Sequence, residues 1–453
     1  MRVVVVGGGF AGFAAAIVLQ ERRHEVVLLE RRGILGGRAT SSRDAVTGDD
    51  VDNGTHLMVG AYSATLDLLR RAGAEDLLQV QQDLQLEWVD ERGTTALSCP
   101  PLLAPLHLLV GLAGLRVPLA VKLQAIRLGL AVRFGRRPDG LRLAEYFRRT
   151  GQGEAARRLV WDPLALAILN EPVERAAAVL FHRVYQEAFL TDHQASRLVF
   201  PRRGWGVLME RLAAYFESRG GRLLRGARAD GLLLDQGRVS AVRYSKRSEK
   251  REEIAEGRPP EPQLETVDAV VSAVPPPALL ALVPEDRRQA LPFSTLDRFA
   301  GSPIVSVDLW LDRVIVKHSM LGLRDAEMEW VFDKGRLHGR DGAPQHLAFI
   351  VSAAYRSAPK TSAELVAAAV STLQRYFPAM AGAHVARSLV QREAQATFAS
   401  TPELEPLRPG PVTPIAGLFL AGDWTDTGLP ATIEGAVRSG LRAAEALCLS
   451  DRP

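Results

Sequence analysis

Three glycines near the start of the chain have the spacing of a dinucleotide-binding turn. Gly7, Gly9 and Gly12 form the pattern G-x-G-x-x-G, with Phe10 and Ala11 between the last two glycines, and the helical run Phe13 to Gln20 follows. In this pattern the first glycine permits a tight turn, the second lets a pyrophosphate approach the backbone, and the third lets helix and strand pack closely. The amino end of the helix then stabilises the phosphate charges. We therefore expect residues 7–12 to bind the diphosphate of a dinucleotide.

Two apolar runs must position this turn. Val3 to Val6 precede the glycines and predict a buried parallel strand. A second apolar run ends at Glu30, about 20 residues further on, where an acidic side chain commonly binds a ribose hydroxyl. Arg31 and Arg32 follow and are suited to the 2′-phosphate of NADP, whereas the charge of Glu30 disfavours that phosphate. These residues alone leave the choice of cofactor open.

A second glycine-rich element and a loop with titratable side chains come next. Gly36 and Gly37 precede Arg38, so that both backbone and guanidinium can approach a pyrophosphate. The sequence E-x5-G-G-R, followed by Val51-Asp52-Asn53-Gly54-Thr55-His56, resembles the N-terminal signature of the flavin amine oxidase and carotenoid desaturase superfamily. This resemblance implies FAD in an extended form, with Arg38 near the diphosphate. It also implies that the loop Asn53, Gly54, Thr55, His56 lies close to the isoalloxazine ring.

The C-terminal region carries a third glycine-rich element. A hydrophobic strand ends at Gly422 and Asp423, and a helix begins near Thr432, with Ile433 and Ala436 in its first turn. A carboxylate at the strand end can bind ribityl hydroxyls, and a helix N-terminus can stabilise negative charge on a reduced flavin. No cysteine lies between Ser400 and Gly440, so we expect the FAD to be bound non-covalently.

Several segments also resemble one subgroup of that superfamily, the squalene-associated FAD-dependent desaturases, which are the bacterial hydroxysqualene dehydroxylases of hopanoid synthesis. The segments are Asp52 to His56, Trp161-Asp162-Pro163-Leu164 with Asn170, Asp423-Trp424-Thr425, and Thr427 to Val437. The resemblance implies that reduced flavin gives a hydride to the carbon bearing an allylic hydroxyl of a long-chain isoprenoid. Water then leaves and squalene results. The sequence does not identify the electron donor.

This chemistry needs an acid for the leaving hydroxyl and a dry pocket. By position, His56, Asp52 and Asp426 are the titratable candidates. His56 ranks first as the acid, although a hydrogen bond to flavin or backbone is an alternative role for it, and Asp52 suits a role in fixing the loop. Three other functions stay open: a carotenoid desaturase or isomerase, an amine oxidase, and a non-catalytic isoprenoid-binding flavoprotein. Trp424 is the only aromatic residue near the Gly422-Asp423 loop, which disfavours the amine oxidase because that class is expected to have an aromatic pair before the flavin.

The predicted fold class is α/β, with a Rossmann-like FAD-binding domain and an interleaved α+β substrate domain. We assign residues 1–85, 197–292 and 405–453 to the first domain, and 86–196 and 293–404 to the second. In the FAD domain we expect Ala229 beside the adenine, where related flavoproteins have Val, and Ala273 and Val274 near the cofactor. Residues 245–266 are polar and charged and predict a solvated loop.

Composition excludes several other classes. Cys99 and Cys448 are far apart and no His cluster has metal-ligand spacing, so neither a disulfide framework nor a metal site is predicted. A formal charge of +4 gives no case for nucleic acid. The chain begins directly with its first strand, so we expect no removed signal peptide and a cytoplasmic protein.

One stretch stands apart in charge. Residues 93–137 contain no Asp or Glu but several basic residues among Leu, Val, Ile and Ala: Arg116, Lys122, Arg127, Arg133, Arg136 and Arg137. We predict that residues 100–170 are helical, with Asp162 capping a helix that Pro163 begins. The apolar runs fall short of the about 20 residues that span a bilayer. Two alternatives remain: a surface in peripheral contact with the inner face of the cell membrane, or a pair of buried helices whose basic residues reach solvent.

Overall fold

The computed structural model describes residues 1–246 and 261–451 of the chain. Its first part is a parallel five-stranded sheet in the order β10-β2-β1-β14-β20, in which β1 lies at the centre. The sheet is built as the valine run predicts: Val3 and Val5 pack beneath helix α1, and Val4 and Val6 pack on the opposite face. The strands are β1 Arg2–Val6, β2 Glu25–Glu30, β10 Arg222–Arg225, β14 Ala269–Ser272 and β20 Leu418–Leu420.

A three-stranded antiparallel sheet covers that opposite face. Its strands are β11 Ala227–Asp235, β12 Arg238–Lys246 and β13 Pro262–Thr266. Leu232 and Val242 from this sheet share one hydrophobic cluster with Val4 and Val27 of the parallel sheet. The parallel sheet is therefore buried on both faces, which is why its central strand is continuously apolar.

The second part is a mixed seven-stranded sheet in the order β19-β15-β18-β17-β16-β7-β8. Its strands alternate, because Val305, Val307 and Leu309 pack on one face with helix α13, while Trp330, Ala348 and Ile350 face a helical layer on the other. The strands are β7 Leu84–Asp90, β8 Gly93–Cys99, β15 Gly301–Leu311, β16 Met320–Leu323, β17 Trp330–Asp333, β18 Gln345–Val351 and β19 Val385–Phe398.

Two small sheets and fourteen described helices complete the fold. The small sheets are the hairpin of β3 Ser41–Arg43 and β4 Asp50–Asp52, and the three strands β5 Met58–Val59, β6 Leu78–Val80 and β9 Leu198–Pro201. The helices are α1 Phe10–Glu21, α2 Ser63–Arg71, α3 Leu106–Gly114, α4 Leu119–Phe134, α5 Leu143–Arg149, α6 Glu154–Ala156, α7 Asp162–Leu169, α8 Ala178–Phe189, α9 His193–Ser196, α10 Trp205–Ser218, α11 Pro276–Leu282, α12 Lys334–Leu337, α13 Ser362–Tyr376 and α14 Ile433–Ser450.

The predicted fold class is confirmed, with a Rossmann-like parallel sheet and a second, mixed α+β part interleaved in sequence. The exact division into domains stays a prediction. Residues 100–170 are largely helical, as expected. The ends of the predicted loop 245–266 were wrong, since they belong to β12 and β13, and residues 247–260 lie outside the described part.

The capping role predicted for Asp162 was also wrong. A π-helical turn, Arg157–Trp161, connects α6 directly to α7, so Asp162 lies inside a continuous helical segment. Its carboxylate instead accepts hydrogen bonds from Arg157, at 3.1 and 3.2 Å. A Pro in the first turn of a helix needs no new N-cap when a preceding turn already supplies the backbone.

Candidate active site

The first glycine-rich turn has the geometry that the spacing predicts. Gly7 has φ +112° and donates its N–H to Leu29 O at 2.8 Å, which continues the β1–β2 pairing to the start of the turn between β1 and α1. A Cβ at Gly12 would lie 1.8 Å from the carbonyl oxygen of Gly7, so only glycine fits there. Phe10 and Ala11 open α1 and are buried. The turn therefore presents backbone N–H groups at a helix N-terminus.

The second glycine-rich element packs against the first. Gly36 donates its N–H to Gly8 O at 2.9 Å, and a Cβ at Gly9 would lie 3.9 Å from Gly37 Cα. The carboxylate of Glu30 accepts the N–H groups of Gly8 and Arg32, each at 2.8 Å. Glu30 is thus held at the mouth of the turn, where a ribose hydroxyl would be bound.

Arg32, rather than Arg31, takes part in this arrangement. The Arg32 guanidinium donates to Gly37 O at 2.5 Å, whereas Arg31 is exposed. The cofactor-binding role predicted for Arg31 stays a prediction.

The third element is brought to the other two by an ion pair. Arg38 Nη2 lies 2.5 Å from Asp423 Oδ1, although 385 positions separate the two residues. Trp424 Nε1 donates to Val274 O at 3.1 Å, and a Cβ at Gly7 would lie 2.8 Å from Ala273 O. Residues 7–12, 36–38 and 422–423 therefore form one surface, which we call the cofactor cradle.

Helix α14 packs against the cofactor cradle, where the Gly422 N–H donates to Ser439 Oγ at 2.9 Å. Thr432 caps the helix by accepting the N–H of Gly435 at 3.0 Å, and Ile433 and Ala436 in the first turn pack on the core around the parallel sheet. The buried carboxylate of Glu434 accepts the Thr65 N–H at 2.9 Å and the Arg438 Nε–H at 2.8 Å. These contacts fix the orientation of the helix N-terminus, which would stabilise the negative charge of a reduced flavin.

The loop from Asp52 to His56 is held by a buried ion pair that the sequence did not reveal. Lys334, 2% exposed at the start of α12, donates to the Asp52 carboxylate, which is 1% exposed. Asp52 also accepts from Ser41 Oγ at 2.5 Å and from the Trp205 N–H at 3.4 Å. Burial alone would raise the pKa of Asp52, but Lys334 and Ser41 offset that and hold the pKa below its ordinary value. Asp52 is therefore a charged anchor for the loop.

His56 has a neutral imidazole in this setting. Burial is the largest cause that lowers its pKa below the ordinary value of 6.5. Its Nε2 lies 3.3 Å from the carbonyl oxygen of Arg38, which can only accept, so this nitrogen carries the proton. The ring also packs edge-on against Trp205, with centroids 6.1 Å apart. His56 thus connects its loop to the Gly36-Gly37-Arg38 element.

A small pocket lies between this loop and the seven-stranded sheet. Arg38, Asn53, Gly54 and His56 line one side, and Ile304, Ser306, Gln391, Glu393 and Ala396 line the other. Asn53 Nδ2 donates to Glu393 Oε2 at 3.2 Å across the pocket. Thr55 is partly buried in the same loop. The pocket therefore collects most of the residues expected beside the isoalloxazine ring.

Two of the predicted site residues lie outside the small pocket. Asp426 is exposed, and within the described part of the chain only its backbone makes hydrogen bonds, with Pro409 and Arg442. Ala229 pairs with Tyr244 in the three-stranded sheet and packs against the cluster on the far face of β1. The catalytic role of Asp426 and the adenine contact of Ala229 stay predictions.

Arg408 is a further residue that sequence reasoning missed. Its buried guanidinium donates to the carbonyl oxygens of Asp423 at 3.1 Å and Thr425 at 2.5 Å, and it lies 4.8 Å from the centroid of the Phe398 ring. It satisfies the carbonyl groups of the loop after β20. No local motif predicts such contacts, because Arg408 bonds to backbone carbonyls, while Lys334, Glu393 and Glu434 pair with residues far away in sequence.

A larger, apolar cavity of about 370 Å³ lies on the helical side of the seven-stranded sheet. Its walls come from the sheet residues Leu86, Trp88 and Leu97 and from helices α3, α4, α7 and α8. Ile304 borders the small pocket and also packs against the hydrophobic cluster that surrounds this cavity. The volume lies in the range of small-molecule sites.

Comparison with known proteins agrees with this geometry. Residues 10–448 match the family model described as flavin containing amine oxidoreductase. The chain belongs to this family. It is 30% identical over 459 residues to the hydroxysqualene dehydroxylase of Rhodopseudomonas palustris, covering 99% of both chains. It is 27% identical to the 15-cis-phytoene desaturase of Synechococcus elongatus, covering 99% of this chain and 96% of the relative.

The fold of this chain is shared with solved structures. A crystal structure of an oxidoreductase from Methanosarcina mazei superimposes with a TM-score of 0.75 at 17% identity, covering 98% of this chain and 100% of that one. The predicted superfamily is confirmed, and so is the class of flavin-dependent oxidoreductase.

Proposed function

We propose that this protein is an FAD-dependent oxidoreductase that removes the hydroxyl group of hydroxysqualene to give squalene. The observation that carries the proposal is the apolar cavity of about 370 Å³ on the helical side of the seven-stranded sheet, whose surrounding cluster also packs against Ile304 of the small pocket at His56. A cavity lined by Leu, Ile, Trp and Phe suits a long hydrocarbon chain. The end-to-end similarity to hydroxysqualene dehydroxylases supports the same substrate.

The residues of the cofactor cradle fit FAD. Gly7 and Gly12 allow the close backbone packing of the turn. A Cβ at Gly9 would meet nothing closer than Gly36 O at 3.8 Å, so a diphosphate can approach there, and Arg38 supplies a guanidinium beside it. Glu30 would bind the ribose, Asp423 the ribityl chain, and the N-terminus of α14 the pyrimidine end of the flavin. Reduced flavin, when bound, supplies the hydride.

His56 is the proposed proton donor to the leaving hydroxyl. It lies at the pocket wall, and Asp52 favours its protonated form even though burial holds the pKa down. An imidazolium with a lowered pKa is a stronger acid, so turnover should increase as pH falls through a value under 6.5. His56→Gln should keep flavin and lose this pH dependence. An unchanged pH profile in the variant would exclude His56 as the acid.

The deciding experiment is anaerobic incubation of the photoreduced holoprotein with hydroxysqualene, followed by chromatography of the extracted lipids. We expect a yellow protein that releases FAD on denaturation, and squalene in amounts stoichiometric with reoxidised flavin. A protein that takes up no flavin on reconstitution, or a reduced holoprotein that forms no squalene, would contradict the proposal.

A carotenoid desaturase or isomerase is the second candidate, because a phytoene desaturase matches the chain over almost the same length. Incubation of the oxidised holoprotein with phytoene separates the two, since a desaturase forms new conjugated double bonds that absorb visible light. An amine oxidase fits less well, because the cavity is apolar and Trp424 remains the only aromatic side chain beside Asp423 in sequence. A non-catalytic isoprenoid-binding flavoprotein would show no coupling between reoxidation and product.

Peripheral membrane contact is part of the proposal. Among the described residues, no helix is long and apolar enough to cross a bilayer. Large apolar side chains are nevertheless exposed on and around α3 and α4, with Leu103 at 82%, which does not fit a buried helix pair. We call this set the apolar patch: Leu102, Leu103, Leu106, Leu109, Val110, Leu119, Leu123, Ile126, Leu130 and Phe134.

Charge favours an anionic bilayer as the partner of the apolar patch. The segment that carries the patch has basic residues and no acidic ones, and Leu109, Ile126, Leu130 and Phe134 belong both to the patch and to the cavity wall. A lipid could thus pass from bilayer to cavity without crossing water. We expect the protein to float with vesicles that contain anionic phospholipid and to lose this in the triple variant Leu103→Ser, Leu123→Ser, Phe134→Ser.

The matched control changes Leu264 and Leu291 to Ser, since these residues are equally exposed but lie outside the patch. The control should still float. Equal flotation of both variants would exclude the patch as the contact surface.

A further inference from the structure

The apolar cavity contains very few polar side-chain groups, and most of them are already used. Arg133 and Thr191 are exposed and lie at its edge, where the Thr191 hydroxyl donates to Gln186 O at 3.2 Å. The Trp161 indole N–H donates to Gln152 Oε1 at 2.7 Å, away from the cavity. The Trp88 indole N–H also lacks a partner among the described residues, but it has no accessible surface toward the cavity and cannot reach a ligand there. One polar group of the lining remains, the phenol of Tyr185.

Tyr185 is held firmly but its hydroxyl is free. Its ring lies 5.9 Å from Phe181, 5.7 Å from Trp161 and 5.5 Å from Phe189, measured between ring centroids, and the residue is 8% exposed. Within the described part of the chain, the hydroxyl has no hydrogen-bond partner. It lies 4.0 Å from where a Cβ at Gly129 would be, and Gly129 also lines the cavity. A buried tyrosine hydroxyl normally finds a partner, so this one lacks a ligand.

We propose that the Tyr185 hydroxyl binds the alcohol group of the isoprenoid substrate inside the apolar cavity and makes the protein prefer an isoprenoid alcohol to the corresponding hydrocarbon. The inference rests on the proposed function for the identity of that alcohol. Tyr185 and His56 line different pockets, so Tyr185 binds the alcohol on its entry into the apolar cavity, before the alcohol reaches His56 in the small pocket, and it takes part in no step of the reaction.

The preference follows from what each ligand does to the phenol. An apolar wall contributes about the same binding free energy to a hydrocarbon and to the same chain bearing one hydroxyl, so it discriminates poorly between the two ligands. A hydrocarbon leaves the Tyr185 hydroxyl without a partner, whereas an alcohol can both donate to it and accept from it. Burial raises the pKa of Tyr185, so the phenol keeps its proton over the whole physiological range.

The test compares dissociation constants of the oxidised holoprotein for hydroxysqualene and for squalene, by quenching of tryptophan fluorescence at one detergent concentration. We expect Tyr185→Phe to weaken hydroxysqualene binding about 3- to 10-fold, the value of one hydrogen bond, and to change squalene binding less than about 2-fold. Tyr146→Phe is the matched control. It removes a hydroxyl that pairs with His182 Nδ1 at 3.2 Å and that does not line the cavity, so the ratio of the two constants should not change.

An unchanged ratio in Tyr185→Phe, or an equal change for both ligands, overturns the inference. Its failure and that of the proposed function are distinguishable. Wild-type protein that makes squalene while Tyr185→Phe retains the wild-type ratio supports the function and rejects the role of Tyr185. A Tyr185-dependent preference for hydroxysqualene in a protein that makes no squalene supports the role of Tyr185 and rejects the function.

Discussion

The cofactor cradle and the apolar cavity depend on different properties of their residues. The cradle depends on backbone: a Cβ at Gly12 would lie 1.8 Å from Gly7 O, and Gly36 N–H bonds to Gly8 O. The cavity depends on volume and apolarity, and its walls draw on the side chains of a β-hairpin and four helices. A backbone requirement admits one residue type, whereas an apolar wall admits many.

This difference implies opposite responses to mutation. Small changes in the cradle should abolish cofactor binding, and conservative changes in the cavity should be tolerated. The polar residues that join the two regions should behave like the cradle, because a buried charge also has few substitutes.

Gly12→Ala should have the largest effect. The added methyl would overlap the Gly7 carbonyl, so β1 and α1 must move apart and the diphosphate surface is lost. We expect destabilisation by more than about 4 kcal/mol and no bound FAD. Urea unfolding and the flavin absorbance of the purified protein measure both.

The control is Gly33→Ala, in the same region, where a Cβ would have no neighbour within 4 Å. It should bind FAD normally. If Gly12→Ala retained full flavin, the close approach of helix and strand would not be what forms the cradle.

The same difference determines which parts of the site could be predicted from the sequence. Glycine spacing and strand patterns place Gly7, Gly12, Glu30, Gly36 and Arg38 correctly in one region, since each pattern reports a local backbone requirement. The cavity could not be predicted, because which apolar faces enclose a space depends on how the helices pack.

Lys334→Ala is expected to have the second-largest effect. It leaves the Asp52 carboxylate buried and without its counter-ion, which typically costs about 3 to 5 kcal/mol. The loop that carries His56 should loosen as well, and flavin affinity should fall. Denaturant midpoints and FAD titration measure the two effects.

Two controls define the cause. Arg340→Ala removes an exposed guanidinium that pairs with Asp49 in the neighbouring turn, and it should cost less than about 1 kcal/mol because Asp49 keeps its hydrogen bond from Trp310 Nε1. Lys334→Met combined with Asp52→Asn removes both charges and should recover much of the stability. A double variant no more stable than Lys334→Ala would show that packing, rather than an unpaired charge, explains the loss.

In the part of the molecule built on the seven-stranded sheet, Glu329 should make the free energy of unfolding depend on pH. Burial is the largest cause that raises the pKa of this carboxyl, which precedes β17, from 4.5 to about 7. Below pH 4.5 the carboxyl is protonated in both the folded and the unfolded state, so it does not change the free energy of unfolding. As the pH rises to about 7, the unfolded state loses the proton first, and the carboxyl increasingly lowers the free energy of unfolding. Glu329→Gln should therefore be more stable than wild type at pH 8, by up to about 3 kcal/mol, and equal to it near pH 4.5.

Unfolding in urea at several pH values tests this. Glu75→Gln, at an exposed position, should show no such difference. A Glu329→Gln variant whose advantage grows towards acid would mean that the carboxyl is charged and paired in the folded state.

Residues such as Lys334, Arg408 and Glu393 show why the polar side of the site was missed. Lys334 lies 282 positions from Asp52, and Glu393 lies 340 positions from Asn53. Each has an ordinary sequence neighbourhood, and only the fold brings it to its partner. Asp52 was correctly expected to fix the loop, but a carboxylate in a loop does not identify its counter-ion.

The smallest effect is expected for a conservative change in the cavity wall. Leu164→Met keeps nearly the same volume and apolarity at a partly buried lining position, so it should cost less than about 1.5 kcal/mol and leave flavin content unchanged. A large loss of flavin in this variant would mean that the cavity wall and the cofactor cradle are one cooperative unit. Normal flavin with altered preference among isoprenoids of different length would instead confirm that the two regions carry separate functions, with the cradle fixing the chemistry and the wall selecting the chain.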